Sequence, residues 1–93
     1  MSAAVKHDAT RHRFETVVDG HTGYIEYHMD DAVMSIDHTI VPSEIGGRGI
    51  AGTLMKTALD YARAEGLKVI PACSYADAYI TKHPEYEDLR NSN

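Results

Sequence analysis

The chain has 93 residues, 43% hydrophobic and 25% charged, a globular composition that fills one compact domain and leaves no room for a second core. Fourteen acidic residues against nine basic ones give a net charge of −5, and the basic residues are scattered. No stripe for nucleic acid forms, and an acidic surface favours a basic partner such as an amine or a Lys-rich peptide. The single cysteine, Cys73, excludes a disulfide framework, and His7, His12, His21 and His28 lack the spacing of metal ligands, so no metal is expected.

Neither a signal-peptide run nor a membrane-spanning stretch is present, and the expectation is a soluble, cytoplasmic protein, a monomer or weak homodimer. A domain this small buries only roughly 60% of the surface its unfolded chain exposes, which directs any ligand to a surface cleft.

Residues 1–12 are polar and are expected to be loose, with one domain over 13–89 and a loose tail over 90–93. Arg13 to Val18 reads as a strand closed by the turn pair Asp19-Gly20. Tyr24 to Met29 alternates, with Ile25, Tyr27 and Met29 on one face. After Asp30-Asp31, the run Ala32 to Val41 places Met34, Ile36, His38 and Ile40 on a common face, and Pro42 ends it for want of an N–H. From Gly49 or Ile50 to Glu65 the residues Ile50, Ala51, Leu54, Met55, Ala58, Leu59 and Ala62 fall on one helical stripe, closed by Gly66. Leu67 to Cys73 returns as a strand parallel to the previous one, its pairing interrupted by Pro71. Tyr75 to Lys82 forms a short helix stopped by His83-Pro84. The resulting fold class is α/β (α+β), in the order β-β-β-α-β-α.

Between the third strand and the long helix lies Val41-Pro42-Ser43-Glu44-Ile45-Gly46-Gly47-Arg48-Gly49-Ile50-Ala51-Gly52, with four glycines in its last seven residues. A glycine-dense turn opening a helix suits a phosphate, which meets unpaired N–H groups and the positive end of the helix dipole, and Arg48 adds a charged fork. The P-loop pattern fails because Gly52 is followed by Thr53-Leu54 rather than Lys-Ser/Thr. Gly47-x-Gly49-x-x-Gly52 matches the dinucleotide pattern, yet the next strand ends Pro71-Ala72-Cys73 without the acidic residue that holds a ribose.

Val41-Pro42 followed by Gly47-Arg48-Gly49-Ile50-Ala51 resembles the acyl-CoA loop of the GNAT N-acetyltransferases. With His38-Thr39, Pro71-Ala72-Cys73-Ser74-Tyr75 and Lys82-His83-Pro84-Glu85-Tyr86, the likeness to the smallest, single-domain members of that superfamily runs from Phe14 to Leu89. Two departures stand out. Glu44 occupies a position held by Gln or Arg in the wider superfamily, and the chain lacks the two helices that larger members place after their first strand. The resemblance implies a truncated GNAT-like fold with a mixed sheet and a splayed parallel strand pair, acetyl-CoA or another acyl-CoA as co-substrate, and an amine acceptor. It further implies that Val41, Ile45, Gly46, Gly47, Arg48, Gly49, Ile50 and Ala51 line the coenzyme site. Pro42 and Pro71 independently favour incomplete pairing of the two strand ends.

Acyl transfer to an amine needs a base, an oxyanion donor and often an acid for the thiolate. His38 is the candidate base, the backbone N–H near Val41 the donor, and Tyr79 the candidate acid. Cys73, just before a helix start, is a candidate acyl relay. Against each stands a plain structural role: a satisfied core histidine, ring packing, a space-filling thiol. Against catalysis as a whole stands a non-catalytic CoA-binding or regulatory module.

Overall fold

The computed structural model describes residues 4–91. A five-stranded sheet in the order β1-β2-β3-β4-β5 comprises β1 (Lys6–Asp8), β2 (Arg13–Val18), β3 (His21–Asp30), β4 (Val33–Ile40) and β5 (Lys68–Pro71). The first four strands pair antiparallel, and β5 runs parallel to β4. Helix α1 (Ile50–Ala64) makes the crossover, and helix α2 (Ser74–Lys82) and a 3-10 segment (Pro84–Leu89) follow β5.

The hairpin between β2 and β3 turns on Asp19 (φ 50°) and Gly20 (φ 77°), two left-handed residues whose twist suits a tight hairpin. Pairing begins at once, Val18 against His21, so β3 starts three residues before the aromatic run. Phe14, Thr16, Ile25, Tyr27, Met34, Ile36 and Val69 point to one side of the sheet, where Ile50, Leu54, Met55, Ala58, Leu59 and Ala62 of α1 and Ala76 and Ile80 of α2 meet them. Gly23 allows α1 to lie this close, since a Cβ there would sit 3.3 Å from Ile50 Cγ2. At its far end α1 closes as the sequence indicates: Gly66 stands at φ 70° and Leu67 donates its N–H to Ala62 O at 2.8 Å.

Both helices pack on one face. The other face, carrying Val17, Tyr24, Glu26, His28, His38, Ile40 and Ile70, has no helix against it among the described residues.

Two segments expected to be loose are engaged. Lys6–Asp8 forms the edge strand β1: His7 stacks on Phe14 with ring centres 4.1 Å apart and hydrogen-bonds Tyr27 Oη. Thr16 Oγ1 donates to Ala4 O at 2.6 Å, which holds the chain just ahead of that strand. Three polar residues carry no hydrophobic alternation, so the strand left no periodic trace in the sequence. At the other end Asn91 N–H donates to Val69 O at 2.8 Å, and Arg90 pairs with Asp77 and Glu87. Residues 1–3 and 92–93 of these segments lie outside the described residues.

Candidate functional site

Parallel pairing between β4 and β5 ends at Ile36 and Pro71. One further main-chain bond, from Cys73 N–H to Ile36 O at 3.1 Å, closes the bottom of the gap, and from Asp37 to Ile40 that edge of β4 has no strand beside it among the described residues. Pro71 gives the ladder no N–H, and the chain turns away into α2 at Ser74. The splay leaves a row of main-chain groups on β4 available to an extended polar ligand.

A β-bulge marks the same place. Tyr27 pairs with Ile36 and Glu26 with His38, so Asp37 is the extra residue. The bulge reverses the alternation expected for this strand: Met34 and Ile36 are buried, but the next inward side chain is Thr39, while His38 and Ile40 are exposed on the uncovered face. His38 therefore leaves the apolar face on which simple alternation put it.

Beyond the free edge of β4 a short 3-10 turn (Ser43–Ile45) leads into the glycine loop. Ile45 anchors it, with a fully buried side chain and an N–H given to Pro42 O at 3.1 Å; Gly46 N–H is likewise used by Ser43 O. Of the loop residues, Ile45 and Gly46 thus offer no spare N–H. The N–H groups of Gly47 to Gly52 find no well-formed backbone acceptor among the described residues, and Thr53 N–H to Gly49 O at 3.0 Å is the first bond of α1. Gly47 and Gly49 stand at φ 77° and 75°, and a Cβ built on either would meet nothing within 4 Å. The cradle is open, and its conformation requires glycine. Such a cradle at a helix N-terminus beside an unpaired strand edge suits a diphosphate joined to an extended amide-bearing arm. Arg48 is at its rim, its Nη1 held by Asp19 Oδ2 at 2.6 Å across the β2–β3 turn.

Cys73 caps α2. Ala76 N–H points to its sulfur at 3.4 Å, and Thr39 Oγ1 approaches it to 3.4 Å from β4, so the thiol sits at the bottom of the splay. Tyr79 lies in the second half of α2. Its ring stacks on His83 at 3.9 Å, and His83 Nδ1 lies 2.8 Å from Tyr79 O, which ties histidine and tyrosine together at the end of α2. Tyr75, four residues earlier, is on the same helix face: its hydroxyl lies 3.6 Å, and Tyr79 Cε2 4.0 Å, from where a Cβ on Gly52 would be. Burial pushes both phenols above their ordinary range, with each other's proximity adding to Tyr79, so both remain protonated donors at neutral pH.

The structure thus brings Cys73 and Val41 to the splay, Gly47 to Ala51 to its outer end, and His38 to the uncovered face at the bulge. Sequence reasoning missed Thr39, Tyr75, Asp19 and the pair His28–Asp37. Tyr75 had a readable signal, since a residue four before Tyr79 shares its helix face. Thr39 had none, because the bulge that turns it inward breaks the alternation from which facing is read.

A family model for GCN5-related N-acetyl-transferase matches residues 13–89. Protein NATD1 of Mus musculus is 32% identical over 83 residues, covering 86% of this chain and 76% of the relative. Its counterpart in Xenopus tropicalis is 31% identical over 86 residues, covering 89% and 79%. The NMR solution structure of a GCN5-like protein from Staphylococcus aureus superposes with a TM-score of 0.76 at 31% identity, covering all (100%) of this chain and 93% of that one.

Proposed function

Since the chain belongs to the GCN5-related N-acetyltransferase family, we propose that it moves an acetyl or related acyl group from acyl-CoA to an amine, a small amine or a basic peptide. The observation that carries this reading is the continuity of the free β4 edge with the glycine cradle. Among the described residues, a strand edge without a partner from Asp37 to Ile40 leads through the Ser43–Ile45 turn to N–H groups without backbone acceptors from Gly47 to Gly52. Diphosphate meets the N–H groups of Gly47, Gly49, Ile50 and Ala51, Arg48 turns its fork toward the same oxygens, and the pantetheine amides take the place of the missing strand beside β4. In this reading Ile45 and Gly46 shape the loop, and Val41 offers its main chain to the thioester carbonyl.

Direct transfer is the default mechanism. An imidazole on the uncovered face, with His38 the candidate from the sequence, accepts the amine proton, and a phenol of α2, Tyr79 or its neighbour Tyr75, returns a proton to the thiolate. The second route passes the acyl group through Cys73, whose sulfur already receives an N–H from Ala76. A net charge of −5 suits a cationic acceptor.

The test is a CoA titration followed through the amide signals of Gly46 to Ala51, together with acetyl-CoA consumption across a panel of amines. Shifts centred on those amides and turnover with at least one amine are expected. Binding without turnover on any amine favours a non-catalytic CoA-binding module, and unmoved loop amides remove the reading altogether.

A further inference from the structure

The uncovered face of the sheet carries a hydrogen-bonded triplet. His28 Nδ1 lies 2.7 Å from Asp37 Oδ2, and the other carboxylate oxygen accepts from Ser35 Oγ at 2.9 Å. Ser35 is 6% exposed and the Asp37 side chain 28%, whereas the His28 side chain is 62% exposed. The carboxylate is therefore sheltered and fixed at both oxygens, and the ring stands in solvent. Asp37 is also the bulge residue, next to the last β4–β5 pair, so the triplet lies beside the closed end of the splay.

A carboxylate accepts hydrogen bonds and donates none, so Nδ1 must carry the ring proton and the lone pair of neutral His28 falls on the outward Nε2. An imidazole oriented in this way by a third group has the form of a general base with its positioning residue. His38 is exposed on the same face, opposite Glu26, but the hydrogen-bonded carboxylate belongs to His28. Negative groups dominate the surroundings. Glu26 and Asp30 flank His28 along β3, and Asp37 faces it from β4 with His38 as the other titratable group. Arg13 offsets Glu26 at 3.7 Å, and Lys68 of β5 donates to Asp88 O. A cationic acceptor is drawn to such a face.

We propose that His28 is the base that takes the proton of the acceptor amine, with Asp37, braced by Ser35, as its positioning residue. The proposal rests on the acyl-transfer reading above. An ammonium loses one proton to His28 Nε2, and the freed lone pair forms the N–C bond to the thioester carbonyl. The C–S bond breaks, and the sulfur leaves with the electron pair and takes a proton from the phenol of Tyr79 or Tyr75, which the second amine proton replaces. The imidazolium, still donating from Nδ1 to Asp37, then releases its proton to water.

H28Q keeps a polar side chain of similar size without proton uptake. It is expected to lower kcat/KM for the amine by about 100-fold or more and to leave the CoA titration unchanged. D37N is expected to lower kcat with little change in KM. A second readout is independent of turnover: ring nitrogen-15 spectra at pH 8 should show the Nδ1–H tautomer of His28 in the wild-type protein and the Nε2–H tautomer in D37N. A wild-type ring in the Nε2–H form overturns the proposal, as does turnover that survives H28Q. Loss confined to H38Q assigns the base to His38 and overturns it as well. A wild-type protein that binds no CoA, or acylates no amine, overturns the acyl-transfer reading and this proposal with it, whereas H28Q insensitivity in an active enzyme overturns the proposal alone.

Discussion

Gly47 and Gly49 hold left-handed backbone angles in open space, so any cost of a side chain at either position comes from the backbone and not from a clash. Gly49→Ala is expected to destabilise the fold by about 1–2 kcal/mol, the cost of putting an L-residue in that region, and to weaken CoA binding as the cradle relaxes. Gly52→Ala is the control. Its Cβ would make an ordinary contact with the Tyr75 hydroxyl at 3.6 Å, and removing a helical glycine should stabilise by roughly 0.5–1 kcal/mol. Urea unfolding and CoA titration of the two variants separate the effects; equal behaviour would mean that the loop conformation does not matter. Cys73 permits a similarly clean substitution, because serine is a preferred helix cap and keeps the acceptor for Ala76 N–H. Cys73→Ser should therefore unfold within about 0.5 kcal/mol of the wild-type protein, the usual range for a change that breaks no structural feature. Retained turnover then indicates direct transfer, and its loss with stability intact indicates the thiol relay.

Strand β1 depends on one histidine. His7 lies among Phe14, Tyr27 and Tyr61, and burial holds its imidazole below the ordinary value of 6.5, with Asp8 opposing the shift and His12 adding to it. The fold favours the neutral ring. Its contribution is complete above the ordinary value and is lost as pH falls below it toward the lower, folded value. Amide exchange at Lys6 to Asp8, corrected for intrinsic rates, should accelerate relative to α1 between pH 7 and pH 5, and His7→Gln should flatten that dependence. At the opposite edge the Pro84–Leu89 segment is held to α1 by Tyr86 Oη to Asp60 Oδ1 at 2.7 Å and by Arg63 to Asp88 at 2.8 Å. Tyr86→Phe removes a hydrogen bond to a charged group and is expected to cost about 1.5–3 kcal/mol in urea unfolding, without altering CoA affinity. Element boundaries were legible where periodicity or turn chemistry marked them: the α1 stripe, Gly66, Asp19-Gly20 and Pro42 all act as read. Alternation failed at Asp37, because an inserted residue changes the facing of everything after it and nothing in the residue types on β4 announces it. For that reason simple alternation puts His38 inward and Thr39 outward, the reverse of their places in the sheet.

At the scale of the molecule, the outer end of the candidate site was legible because glycines with positive φ are a chemical requirement written into the sequence. The inner end was not. It depends on where β5 stops pairing with β4 and on which side chains three strands bring to the bulge, and neither follows from local pattern. The layering has a thermodynamic consequence. With both helices on one face and a sheet gap held at its bottom by one bond from Cys73 to Ile36, a ligand seated beside β4 fills the place of missing pairs in a domain with little core to spare. A ligand that binds only the native state at a hundred times its dissociation constant adds about 2.7 kcal/mol. For a domain of this size each kcal/mol raises Tm by about 4–8 °C, so saturating CoA should raise it by about 10–20 °C. On the proposed reading the adenosine diphosphate portion alone fills the cradle without bridging the splay, and at the same degree of saturation it should protect the α1 N-terminus but not Asp37 to Ile40 in hydrogen exchange. Protection of the loop and the β4 edge by CoA together, and of the loop alone by the diphosphate, is the pattern expected if cradle and splay form one site; protection that never reaches β4 would place the pantetheine arm elsewhere.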